Sequence, residues 1–250
     1  MSPTGELTAA APARPARRRT RREGPLRALK SVLEIIVIAF FFTTFIAQPF
    51  QIPSSSMVPT LRVGDFILVD KQTFAPGTGH YGVLPKSSVQ RGDLLVFHWP
   101  VDPTLHLVKR VIGVPGDRIR LRHGRVFIHG QPLPEPYAFY TRSRPNSFRD
   151  EFPSLREADP NMEPGWWIQL RRTIADGEVT VPPNQYFVLG DNRNDSEDSR
   201  YWGFVPREAI VGRPLVVYFA VRRSPPPTGS FLHRLRSALS YGFASERILR

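Results

Sequence analysis

Ser54, Ser55 and Ser56 stand in a row between Pro53 and Pro59, followed by Met57 and, from Asp65, by a strand-like run. Prolines on both sides fix φ and pin the segment as a loop. A serine hydroxyl is a poor nucleophile until a base takes its proton. A serine cluster among prolines is also what an ordinary loop looks like, so the base decides. The histidines stand at 80, 98, 106, 123, 129 and 233, with no associated signature, and no serine lies in a G-x-S-x-G elbow. That points away from a histidine triad, although triads are recognised by geometry rather than spacing.

The other activator of a serine is a lysine whose burial favours the neutral amine. Lys109 lies in Leu107-Val108-Lys109-Arg110-Val111-Ile112. Period two puts Leu107 and Val111 on its face, an apolar setting that would desolvate the amine. The same run also suits a lysine that snorkels at a strand edge. A third feature is the polar run from Gly190 to Gly203, which includes Asp191, Asn192, Arg193, Asn194, Asp195, Ser196, Glu197, Asp198, Ser199 and Arg200. It follows a strand-like stretch and is either a solvated loop or the wall of a site. It lacks the spacing, central glycine and terminal glutamate of a calcium loop. Gly77-x-Gly79-x-x-Gly82 matches a dinucleotide fingerprint but neither follows a clear strand nor opens a helix. No zinc spacing is present. No metal and no cofactor is expected.

These residues need a scaffold. Short β-like runs occur at 66–69, 94–97, 107–112, 118–121, 126–128, 186–189 and 215–221, punctuated by Gly, Pro and Asp. Pro115-Gly116 suits a type II turn. The chain holds 26 prolines in 250 residues, which favours many turns and short strands over long helices. The pattern predicts a mainly β domain of sandwich or open-barrel type over about 51–225. Residues 135–180 are rich in Pro, Arg and acids and read as an inserted cap on that core.

The net charge of +12 is concentrated at the N-terminus, where Arg14, Arg17, Arg18, Arg19, Arg21, Arg22, Arg27 and Lys30 precede an apolar run. Residues 1–30 read as a disordered basic cytoplasmic tail. Residues 31–50 read as a single transmembrane helix, oriented by the arginines with the rest of the chain outside the cytoplasm. A cleaved signal peptide competes, but Ala47 at −1 would leave the bulky Phe45 at −3. The basic tail 226–250 has helical apolar spacing at Phe231, Leu232, Leu235, Leu239 and Phe243. It suits a helix lying on a membrane surface as well as a poorly ordered tail. A nucleic-acid partner is not expected, because the basic block abuts the apolar run and no recognition motif follows. There is no cysteine, hence no disulfide or cysteine nucleophile.

Four segments in this order resemble the bacterial type I signal peptidases. Pro53-Ser54-Ser55-Ser56-Met57-Val58-Pro59-Thr60-Leu61 is similar to the nucleophile box of that family, and Ile67 to Lys71 continues in its style. Arg91-Gly92-Asp93-Leu94-Leu95-Val96-Phe97 resembles the next box. Lys109-Arg110-Val111-Ile112-Gly113-Val114-Pro115-Gly116-Asp117 resembles the lysine box, and Gly190 to Pro206 the last. The resemblance implies a signal-peptidase-like β-sheet or barrel domain and a Ser/Lys serine endopeptidase that acts by acyl transfer on signal-peptide-bearing pre-proteins at a bilayer. It implies Ser56 as nucleophile, Lys109 as base and Ser54 as an oxyanion donor beside the Ser56 amide. Ser196 would orient Lys109, and Asp198 and Arg200 would brace that wall. Phe50, Gln51, Ile52, Pro53, Met57 and Leu107 would bind substrate, with shallow pockets for small side chains. The family often has Asp-Asn where this chain has Asn194-Asp195. Two alternatives keep the same boxes: a Ser/Lys peptidase with one specialised client, and an inactive relative acting as a binding subunit.

Overall fold

The computed structural model describes residues 25–41, 44, 47–71, 73–74, 88–155, 159–221 and 247–248. The basic tail through residue 24, the Gly77/Gly79/Gly82 motif and the apolar spacing at 231–243 lie outside them. The chain divides into two units, Met1–Phe40 and Phe41–Arg250.

The first unit is described by helix α1, Pro25–Phe41, whose described residues are exposed all round. It opens on Pro25, whose fixed φ suits a first turn, and carries an i,i+4 pair between Lys30 and Glu34. Seventeen residues rise about 26 Å. Among the described residues no helix is long and apolar enough to cross a membrane. The helix expected over 31–50 is described over Pro25–Phe41, and the expectation is corrected at its far end, where Ala47–Gln51 is a strand. The cause is local. Pro49 lacks an N–H and biases Gln48 toward extended backbone, and a sheet edge accepts proline.

That strand, β1, pairs antiparallel with β2, Asp65–Asp70. The larger sheet continues through β12 (Ile210–Ala220), β3 (Leu94–His98), β4 (His106–Gly113), β10 (Gln185–Leu189) and β11 (Val205–Pro206) in the order β1-β2-β12-β3-β4-β10-β11, and β13 (Arg247–Ile248) also pairs with β12. A smaller sheet has the order β7-β6-β5-β9-β8, from β5 (Arg118–Arg122), β6 (Arg125–Ile128), β7 (Gln131–Pro132), β8 (Ile174–Ala175) and β9 (Glu178–Thr180). The mainly β expectation holds, and each run read as a strand falls in one, except that Val221 lies just past the end of β12. Gly116 takes φ 90°, as the second central residue of a type II turn requires.

Two apolar cores flank β3. Leu95 and Phe97 enter the larger, with Val111, Ile119, Leu121, Phe152, Trp166, Phe187 and Leu189. Leu94 and Val96 enter the smaller, with Ile52, Met57, Leu61, Ile67, Val69 and Val217. A strand apolar on both faces is buried on both. Residues 135–180 supply core as well as cover. Helix α2 (Ser147–Asp150) buries Phe148, and helix α3 (Pro164–Thr173) buries Trp166 and Leu170, four apart on one face.

Candidate active site

The serine loop joins β1 to β2 and is closed at its base by two backbone bonds, Ile52 N–H to the Asp65 carbonyl (2.8 Å) and Gly64 N–H to the Ile52 carbonyl (2.9 Å). Met57 and Leu61 plunge into the smaller core at 2% and 0% exposure. Buried apolar anchors on both sides of a turn leave the hydroxyls between them little freedom, and Ser56 is itself 9% exposed.

Strand β4 brings Lys109 to that loop. In register Lys109 faces Leu95 and Leu107 faces Phe97. The lysine is 3% exposed, and its Nζ donates to Ser56 Oγ at 2.7 Å. Burial pulls its pKa down to about 8; the Asp198 charge pulls the other way, and Arg200 adds to the lowering. Roughly a tenth of the molecules are therefore neutral at pH 7. When the proton leaves, the nitrogen lone pair is already within reach of the serine hydroxyl. Ser54 Oγ lies 3.3 Å from Ser56 Oγ.

The run from Gly190 forms the facing wall. It leaves β10, and Asp198 caps the short helix α4 (Ser199–Trp202), its side chain accepting from Arg200 N–H. Asp198 and Arg200, 0% and 1% exposed, form two bonds of 2.8 Å. Burial acts to raise the Asp198 pKa, but Arg200, Lys109 and the Gly190 N–H outweigh it and hold the carboxyl below its usual range. Arg200 also donates to the Arg193 carbonyl at 2.8 Å, and Trp166 Nε1 donates to the Arg200 carbonyl at 3.0 Å. Helix α3 thus holds the wall from behind.

Wall and loop are sewn together at Asn192, whose N–H donates to the Ser56 carbonyl (3.0 Å) and whose side-chain amide donates to the Ser55 carbonyl (3.2 Å). Ser55 Oγ also donates to the Asp195 carboxylate. Gly190 permits the approach. A Cβ there would lie 2.3 Å from Ser196 Oγ and 2.5 Å from the Ser56 carbonyl oxygen.

The structure brings Ser54, Ser56, Lys109, Ser196, Asp198 and Arg200 into one site. It does not make the expected hydrogen bond from Ser196 to Lys109: Ser196 Oγ is buried and has no partner among the described residues. That expectation is corrected for this structure. Phe50, Gln51, Ile52, Pro53, Met57 and Leu107 line a small pocket of about 50 Å³ together with Ser54, Ser56, Val96, His106, Val108 and Lys109. A second cleft, about 470 Å³, shares Ser54, Ser56, Leu107 and Lys109 with it.

Several residues that shape the site did not stand out in the sequence. Arg110, next to Lys109, grips Asp191 through Nε and Nη2 at 2.7 and 2.6 Å, and Thr60 donates to Asp191 at 2.6 Å. Tyr137 lies under the Arg110 guanidinium at 4.1 Å. Glu135 pairs with Arg193 at 2.5 Å, and Phe139 N–H donates to the Asp191 carbonyl at 2.7 Å. Residues 135–139 thus strap the wall. The available signal was charge: Arg110 is as hard to leave unpaired in a buried strand as Lys109.

Comparison with known proteins finds the model of one family, described as signal peptidase, peptidase S26, matching residues 26–219. A signal peptidase I from Pseudomonas fluorescens is 38% identical over 208 residues, covering 76% of this chain and 71% of that protein. One from Leptolyngbya laminosa is 35% identical over 230 residues, covering 87% of this chain and 93% of that protein. A crystal structure of a signal peptidase I from Enterococcus faecalis aligns with 51% of this chain and 97% of its own, at 30% identity and a TM-score of 0.37.

Proposed function

The chain belongs to the signal peptidase family, peptidase S26, and from that premise we propose that it is a serine endopeptidase that cleaves signal peptides from pre-proteins, with Ser56 as nucleophile and Lys109 as general base. The observation that carries the assignment of the pair is the 2.7 Å contact between a buried amine and the serine hydroxyl.

Neutral Lys109 takes the Ser56 proton as Oγ bonds to the scissile carbonyl carbon. Ser54 Oγ, with the Ser56 amide, offers hydrogen bonds to the oxygen that becomes anionic. The C–N bond then breaks, and Lys109 returns the proton to the departing amine. A water, deprotonated by Lys109, then bonds to the acyl carbon, the bond to Ser56 Oγ breaks, and Lys109 returns that proton to Oγ. Asp198 and Arg200 act on the lysine rather than on substrate. Asp198 and Arg200 fix the wall and the local charge, and Ser196 packs against Gly190 beside the Ser56 carbonyl.

The pocket lined by Ile52, Met57 and Leu107 suits small apolar side chains before the scissile bond, since about 50 Å³ holds only a few waters. Work at a bilayer surface, with the N-terminus cytoplasmic, is part of the same reading. It is supported by the arginine block and by Ile35, Ile36, Val37, Ile38 and Phe40, exposed all round α1.

The test is processing of a purified pre-protein by the full chain in detergent. Ser56→Ala and Lys109→Ala are each expected to abolish cleavage while membrane yield is unchanged. Full activity in either variant would refute the assignment.

A further inference from the structure

Ser56 and Lys109 sit where two unlike cavities meet. The small one is walled largely by apolar side chains, among them Phe50, Ile52, Met57 and Val108. The large one shares Ser54, Ser56, Leu107 and Lys109 with it and opens in another direction, toward Trp99, Asn161, Asp195, Glu197 and Trp202. A peptide whose residues before the scissile bond fill the first cavity passes Ser56 and leaves through the second.

Two observations say what the second cavity takes. Its charged lining beyond Lys109 is acidic. Among the described residues neither Asp195 nor Glu197 has an ion-pair partner, while the nearby cations are engaged, Arg200 with Asp198 and Arg149 with Asp150. Independently, Ser196 and Trp202 line the same cleft, each more than nine-tenths buried, and among the described residues neither the Ser196 hydroxyl nor the Trp202 indole N–H has a partner. Buried donors left in this way belong to a surface that a ligand's acceptors complete. The backbone carbonyls of an extended peptide are such acceptors. The new N-terminus, moreover, leaves as a neutral amine when Lys109 returns its proton and becomes a cation on taking a second proton from solvent.

We propose that this cleft holds the first residues of the mature chain, after the scissile bond, and that Asp195 and Glu197 make it prefer basic over acidic side chains there. The inference rests on the Ser56/Lys109 reading and adds a specificity determinant to it.

The experiment compares two pre-proteins that differ only in their first two mature residues, Lys-Lys against Glu-Glu, cleaved by the full chain in neutral detergent. The expected ratio of kcat/KM, basic over acidic, is roughly three- to tenfold at low ionic strength. It falls toward one in high salt, because exposed charges are screened. Glu197→Gln reduces the ratio, Asp195→Asn with Glu197→Gln brings it near one, and Glu197→Lys inverts it. A change in the Lys109 proton affinity moves both substrates together and leaves the ratio fixed, so a structural or dyad effect is told apart. A wild-type ratio of one, or a ratio untouched by these variants while cleavage still requires Ser56, overturns the inference and leaves the dyad standing. Cleavage of both substrates without Ser56 overturns the dyad and the inference with it.

Discussion

Lys109 and Arg110 are neighbours on one strand, both cations, both at most 5% exposed, and the structure treats them in opposite ways. Arg110 points into the wall and meets Asp191 through two short bonds. Lys109 points to the loop and meets a neutral hydroxyl. Its nearest electrostatic ally, Asp198, is committed to Arg200. A buried charge that is paired is a strut; a buried charge left without a paired carboxylate gives up its proton and becomes a reagent. The difference between strut and reagent is made by partners, since both residues lie on one strand at similarly low exposure.

The sharpest way to break this comparison is to replace each residue by methionine. Lys109→Met is expected to lower kcat by about 10⁴ or more, with no loss in thermal midpoint. The sign of its stability effect follows from linkage. The folded pKa, about 8, lies below the ordinary 10.5. The unfolded chain therefore binds the extra proton between those values, and this group's contribution to stability rises with pH across that window. Below it, burial of the ammonium costs about 3 kcal/mol, which methionine removes. Arg110→Met is expected to do the reverse. It strands the Asp191 carboxylate in the interior and costs about 3–5 kcal/mol in denaturant unfolding. Equal destabilisation by the two variants would sink the distinction.

Next in size is Ser54→Ala, which on the proposed mechanism removes one donor from the developing oxyanion. A loss of about 10²–10³ in kcat is expected, with KM little changed. A KM effect alone would make Ser54 a substrate contact rather than a stabiliser of the transition state. Smallest is the pH profile. kcat/KM should rise about tenfold per unit below the Lys109 pKa and level off above about 8. Glu197 raises that pKa, so Glu197→Gln should move the acid limb to lower pH. A limb that moves up, or activity retained well below pH 5, would mean that the base is not this lysine.

Much of this was legible in the sequence, and unevenly so. Strand positions followed from short apolar runs between turn residues, because a buried strand has little room for anything else. Ser56 and Lys109 came from the order of four boxes; Lys109 alone could equally have snorkelled. The strand at Ala47–Gln51 was missed because apolar character runs from Ile35 to Ala47 with only Thr43 and Thr44 between, and hydropathy does not distinguish a lipid-facing helix from the start of an edge strand. Pro49 carried the needed signal. The Ser196 to Lys109 bond was implied by resemblance and is not made in this structure. Asn192 and the strap around Tyr137 depend on contacts more than 50 residues away in sequence, such as Thr141 with Asn192, which no local pattern encodes.

The pairing of β3 with β4 has one more consequence. Leu94, Leu95, Val96 and Phe97 are apolar on both faces, so this strand would accept its neighbour displaced by one position almost as readily as in place. Such a slip would put Arg110, a permanent cation, beside Ser56 and would leave Lys109 to face Asp191. The protein would still look folded but would be chemically dead. Asp191 guards against it, because only the fork of a guanidinium fills both its oxygens. The ion pair behind the site thus works as a proofreading key, which makes faithful strand alignment a condition of having a base at all.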